Sequence, residues 1–134
     1  MEEMVMSDKK RVLLVDDEPD LVSILKKRFQ KEGFDTDVAY DGNECLEKVA
    51  ARRPDAIVLD VMMPDKDGYQ VCAELKKNPE YEDIPILMLT AVADHVTSTR
   101  YSHQDGMNME ADDYVPKGPD ATDEIVASVK RLLA

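Results

Sequence analysis

The residues best suited to chemistry are an acidic run, Asp16-Asp17-Glu18, a further acid at Asp60, a hydroxyl at Thr90 and an ammonium at Lys117. Each lies at the end of a short apolar run: Val12-Leu13-Leu14-Val15, Ile57-Val58-Leu59, Ile86-Leu87-Met88-Leu89 and Tyr114-Val115-Pro116. Taken singly, each has an ordinary reading. Acids after an apolar run suit a helix N-terminus, a threonine suits a strand or a cap, and a lysine suits solvent. Brought together, they read differently. Carboxylates crowded into one pocket repel one another, and a shared cation relieves the repulsion. Hard oxygen donors with room for water suit Mg²⁺. A hydroxyl and an ammonium beside them suit the oxygens of a phosphoryl group.

Whether these groups meet depends on the elements that carry them. Apolar runs alternate with helix-period segments along the chain. Strands are expected over residues 12–15, 37–40, 56–59, 84–89 and 113–116, with 37–40 the weakest. Helices are expected over 19–31, 43–52, 69–77, 96–104 and 120–133. Pro19 and Gly33 punctuate the first helix in the usual sense, and Leu21, Val22, Leu25 and Phe29 share its inner side. In the second helix the inner side is expected to carry Leu46, Val49 and Ala50, and in the last one Ile125, Val126, Val129, Leu132 and Leu133. Strands that are continuous apolar runs indicate a sheet covered on both faces. Alternation of strand and helix then implies a parallel, doubly wound α/β sheet with helices on both faces. Such sheets carry their sites at the carboxyl ends of the strands, where the acids, Thr90 and Lys117 fall.

The bulk numbers narrow the function classes. A chain of 134 residues fits one domain, expected over 11–134 with residues 1–10 as a loose tail. The net charge of −12 argues against direct contact with nucleic acid or anionic membranes. Cys45 and Cys72 have neither zinc-site nor redox-pair spacing and read as reduced thiols of a cytoplasmic protein. No apolar run approaches the length of a membrane span, and residues 1–10 lack a signal-peptide core.

The combined pattern resembles the receiver domains of bacterial two-component response regulators, including those of the chemotaxis type. The resemblance is carried by Val12-Leu13-Leu14-Val15-Asp16-Asp17-Glu18, by Ile57 through Gly68 with Asp60 and Met62-Met63-Pro64 inside it, by Pro85 through Ala91, and by Ala111-Asp112-Asp113-Tyr114-Val115-Pro116-Lys117. It implies a flavodoxin-like fold with five parallel strands in the order 2-1-3-4-5. It also implies a signalling switch and not a metabolic enzyme. Asp60 is then the nucleophile that takes a phosphoryl group from a histidine kinase or phosphotransfer protein. Asp17, Asp60 and the backbone carbonyl of Met62 bind Mg²⁺, with Asp16 acting through a water, and Thr90 and Lys117 hold the phosphoryl oxygens. Thr90 and Tyr114 relay the change to the surface of the fourth helix, fifth strand and fifth helix, where an effector protein or output domain is engaged.

Several residues depart from the family pattern. Gly118 follows Lys117 where a proline is usual, so a trans Lys117–Gly118 bond is expected. The stretch between Thr90 and Lys117 is longer than is common, and Glu110 stands where glycine is usual. With Gly106 and Asn108 available to stop a helix, the fourth helix is expected to end early, before a loop over residues 105–110. His95 and His103 in this stretch read as surface residues. Met62 and Val92 cannot orient a water well, and with them the family resemblance implies a long-lived phosphoryl group. Among other uses of this fold, an Mg²⁺-dependent aspartyl-phosphate phosphatase is the nearest alternative, but Asp16-Asp17-Glu18-Pro19 lacks its Asp-x-Asp arrangement. A nucleotide or flavin binder would want a glycine-rich turn after the first strand, which is absent.

Overall fold

The computed structural model describes residues 9–63, 66–90, 111–118 and 121–134. Within them the strands are β1 (Arg11–Val15), β2 (Asp35–Ala39), β3 (Ala56–Asp60), β4 (Ile86–Thr90) and β5 (Asp113–Pro116). The helices are α1 (Pro19–Lys31), α2 (Gly42–Ala51), α3 (Gly68–Lys77) and a C-terminal helix, Ala121–Leu133. The expected fourth helix over 96–104 lies outside the described residues. So do the loop over 105–110 with Gly106, Asn108 and Glu110, the residues Val92, His95 and His103, and most of the N-terminal tail.

All four strand pairings are parallel, and the sheet order is β2-β1-β3-β4-β5. Successive strand side chains point to opposite faces, and here both faces are covered. Leu13 and Val15 of β1 join Ile57 and Leu59 of β3 and Ile86 and Met88 of β4 in one cluster with Cys45, Val49, Val71 and Leu75. Val12, Leu14, Val58, Leu87 and Leu89, their alternates, pack with Leu25 and Phe29 of α1 and with Ile125, Val126 and Val129 of the C-terminal helix. A sheet buried on both sides has no solvent face to reward polar alternation, so β1, β3 and β4 are almost wholly apolar. β2 is only half-buried because it is an edge strand, so it carries Asp35, Thr36 and Asp37 and gives a weak strand signal.

The inward stripe of α2 differs from the sequence expectation. Gly42, Cys45 and Val49 are its buried residues, whereas Leu46 is partly buried and Ala50 is exposed. Cys45 is a small apolar side chain in packing terms. Counting it as apolar rotates the stripe by one position from Leu46 and Ala50. In the C-terminal helix Ser128 is fully buried beside the expected apolar residues, and its hydroxyl donates to Asp113.

Candidate functional site

Parallel register brings the carboxyl ends of the strands to one edge. Val15 of β1 pairs with Leu59 of β3, Asp60 of β3 pairs with Leu89 of β4, and Thr90 of β4 pairs with Pro116 of β5. Asp16, Asp60, Thr90 and Lys117 are therefore successive stations along that edge. Local backbone bonds hold each in place. The Asp16 amide donates to the Ala39 carbonyl at 3.1 Å, that of Val61 to Leu89 at 3.1 Å, and that of Lys117 to Thr90 at 2.5 Å. The peptide bond after Lys117 is trans, since no cis bond occurs among the described residues. Lys117 reaches the acids nonetheless.

Lys117 Nζ lies 3.1 Å from Asp16 Oδ2, 3.1 Å from Asp60 Oδ1 and 3.2 Å from Glu18 Oε1. Asp16 and Asp60 are buried, with 1% and 2% of their surface exposed, and Thr90 is fully buried. Asp17 is exposed at the rim, yet carboxylate oxygens of Asp16, Asp17 and Asp60 all lie within 4.8 Å of one another. Asp16 Oδ1 accepts the Glu18 amide at 3.0 Å, and Asp60 Oδ1 accepts the Met62 amide at 3.3 Å. The Met62 side chain is exposed, so only its backbone can serve the site.

The charge balance is strained. Burial and the neighbouring Asp16 carboxylate push the Asp60 carboxyl up to about 6, against the pull of Lys117. Burial likewise raises Asp16. Burial alone would lower Lys117, but the Asp60 and Asp16 carboxylates hold it above its ordinary value. One ammonium does not neutralise two buried acids. Asp60 Oδ2, Asp16 Oδ2 and Thr90 Oγ1 are all buried without a hydrogen-bond partner among the described residues, and orphaned buried oxygens are uncommon and costly. Lys117 faces Asp16 Oδ2 as an ion pair at 3.1 Å. This set of hard oxygens fits a small divalent cation.

Of the residues expected in the site, Asp16, Asp17, Asp60 and Lys117 converge, and Thr90 stands on the same edge. Tyr114, the expected switch residue, is half-buried and packs against the cluster that contains Cys72. Its hydroxyl is already shielded from solvent, and that burial raises its pKa. Glu18 was expected only as part of the acidic run, and its contact with Lys117 is new. Nothing in its own spacing signals that contact, because it depends on the β5 end meeting the β1 end.

The family model for the response regulator receiver domain matches residues 12–130. Among solved structures, the chain is similar to the signal receiver domain of a signal transduction histidine kinase from Syntrophus aciditrophicus. They share 33% identity and a TM-score of 0.81, over 92% of this chain and 89% of that one. The receiver domain of the Francisella response regulator 1452 is 32% identical with a TM-score of 0.78, over 93% and 97%. Vibrio cholerae chemotaxis protein CheY4 is 28% identical with a TM-score of 0.80, over 93% and 99%. Strand order, the clustered acids and the family match together show that this chain belongs to the response regulator receiver domain family, whose members are signalling modules and not classical enzymes.

Proposed function

We propose that Asp60 accepts a phosphoryl group from the phosphohistidine of a histidine kinase or phosphotransfer protein. The observation that carries this reading is the set of orphaned buried oxygens on Asp60, Asp16 and Thr90 around one lysine. An oxygen of Asp60 forms the new P–O bond as the P–N bond of the donor breaks, and the departing imidazole takes up a proton. Asp60 Oδ2 is the free oxygen for a new bond or a metal, since Oδ1 already contacts Lys117 and the Met62 amide. Asp17, Asp60 and the Met62 carbonyl would hold Mg²⁺, with Asp16 through a water. Bound there, Mg²⁺ offsets the negative charge that gathers on the transferring group. Lys117 supplies the other positive charge, and the Thr90 hydroxyl supplies a donor to a phosphoryl oxygen.

Transmission to an effector or output domain is assigned to Thr90, Tyr114 and the surface of β5 and the C-terminal helix. Asp113 of β5 accepts from Ser128 and Arg131 of that helix, so a shift at β5 is felt along it. Donor docking is assigned to the rim beside Asp17, where Pro19, Leu21 and the exposed Ile24 line an opening. Among the described residues no helix is long and apolar enough to cross a membrane, and partners are expected to be proteins.

The test is intact-mass measurement after incubation with Mg²⁺ and a small acyl phosphate such as acetyl phosphate. A gain of one phosphoryl group is expected for the native chain and none for Asp60→Ala. An undiminished gain in the variant would remove the assignment. Steady release of phosphate from small phosphate esters would instead favour a phosphatase.

A further inference from the structure

We infer that Gly68 is a positioning residue for the phosphoacceptor site, acting through the backbone of Asp60 and Val61. This rests on the phosphoacceptor reading and asks what holds that site in shape. Gly68 begins α3, a place where glycine is a poor helix former and alanine a better one. Its backbone does not lie in the left-handed region, so conformation does not explain it. Space does. A Cβ on Gly68 would lie 2.4 Å from the Asp60 carbonyl oxygen, 2.9 Å from Val61 Cα and 3.1 Å from the Asp60 carbonyl carbon. Every one of these atoms is backbone, so no side chain can swing aside.

The close approach is fixed from both sides. The Gly68 amide donates to the Val61 carbonyl at 2.9 Å. Asp67 caps α3 by accepting from the Gln70 amide at 2.9 Å, and the Gln70 side chain accepts from the Asp67 amide at 3.0 Å. The start of α3 is therefore clamped on the two peptide groups that follow the β3 ladder. Those peptides set the aim of the Asp60 side chain and of the Met62 amide and carbonyl. The Met62 amide already contacts Asp60 Oδ1 at 3.3 Å.

A methyl group at Gly68 must gain about 1 Å to reach ordinary contact at 3.4 Å from the Asp60 oxygen. Mg²⁺ demands near-ideal octahedral geometry. In-line transfer loses on the order of 100-fold for a misplacement of that size. Gly42 provides the control. A Cβ there would meet Val71 Cγ2 at 2.8 Å and the Lys66 carbonyl at 2.9 Å, a crowded place whose nearest atoms belong to Val71 and Lys66 and not to Asp60. A purely structural role for Gly68 would make the two positions behave alike.

The experiment titrates the full chain with Mg²⁺ alone, by calorimetry well below the melting temperature, for native protein, Gly68→Ala and Gly42→Ala. Native binding is the expected starting point, and its absence would overturn the metal-assisted phosphoacceptor reading together with this one. With native binding in hand, Gly68→Ala is expected to bind Mg²⁺ about tenfold or more weakly, and to take up phosphoryl from acetyl phosphate on the order of 100-fold more slowly. Gly42→Ala is expected to melt earlier but to keep its Mg²⁺ affinity. Unchanged affinity in Gly68→Ala, or an equal loss in both variants, overturns the inference alone. Should Gly68→Ala not fold, the native protein decides by amide resonances. The Gly68 amide is expected to shift along the Mg²⁺ titration with the midpoint of the Val61 amide, and a Gly68 amide that stays still while Val61 moves overturns the inference.

Discussion

Replacing Asp60 by Asn should make the metal-free protein more stable while removing its function. The perturbation deletes one negative charge with little change of shape. Asn can still accept from the Met62 amide, and Lys117 keeps Asp16 and Glu18 as partners. The magnitude follows from the Asp60 carboxyl, raised from 3.8 to about 6 by burial and by Asp16. At 1.36 kcal/mol per pH unit, that rise amounts to about 3 kcal/mol against the folded charged form at pH 7. The sign is that of an acid whose folded value is raised. The folded state holds the proton longer, so Asp60 does not weaken the fold below about 4. Its destabilising effect then grows until pH passes about 6. Asp60→Asn should thus gain about 1–3 kcal/mol at pH 7.5 in a chelator, a large part of a typical domain stability of about 5–15 kcal/mol. The gain should vanish near pH 4, and it should shrink when saturating Mg²⁺ stabilises only the native chain. Urea denaturation of both proteins, with and without Mg²⁺, measures it. Equal stability at pH 7.5, or a gain that persists at pH 4, would refute the electrostatic reasoning.

Other outcomes follow from the same contacts. Lys117→Gln leaves two buried acids without their cation, and should cost up to about 3–5 kcal/mol in metal-free urea unfolding at pH 7.5. That deficit should narrow at pH 5 as the acids take up protons. Burial raises the Cys45 thiol to about 12, so it should resist a thiol reagent in the native fold and react once urea unfolds the chain. Ser128→Ala removes a donor to Asp113, and should cost about 1 kcal/mol by thermal or urea unfolding.

Much of this molecule is legible in its sequence because burial on two faces forces it to be. β1, β3 and β4 are continuous apolar runs, and their ends carry Asp16, Asp60 and Thr90 where a parallel sheet places its site. The edge strand β2 is faint because its exposed side tolerates Asp and Thr. The stripe of α2 slips by one position because its centre is a cysteine and its first residue a glycine, neither of which reads as core. Contacts that depend on three-dimensional convergence are not written in local pattern. The three-way hold of Asp16, Glu18 and Asp60 on Lys117 joins residues from three strand ends. Gly68 belongs to a recognisable run, but its reason, a backbone passing 2.4 Å from where a methyl would stand, exists only in the fold.

The proposed function turns on one carboxylate, that of Asp60. After incubation with Mg²⁺ and acetyl phosphate, borohydride reduction converts an aspartyl phosphate to homoserine, and peptide sequencing by mass spectrometry then reads its position. Homoserine is expected at position 60, dependent on Mg²⁺. Conversion at another acid, or a phosphorylated protein with Asp60 intact, would contradict it.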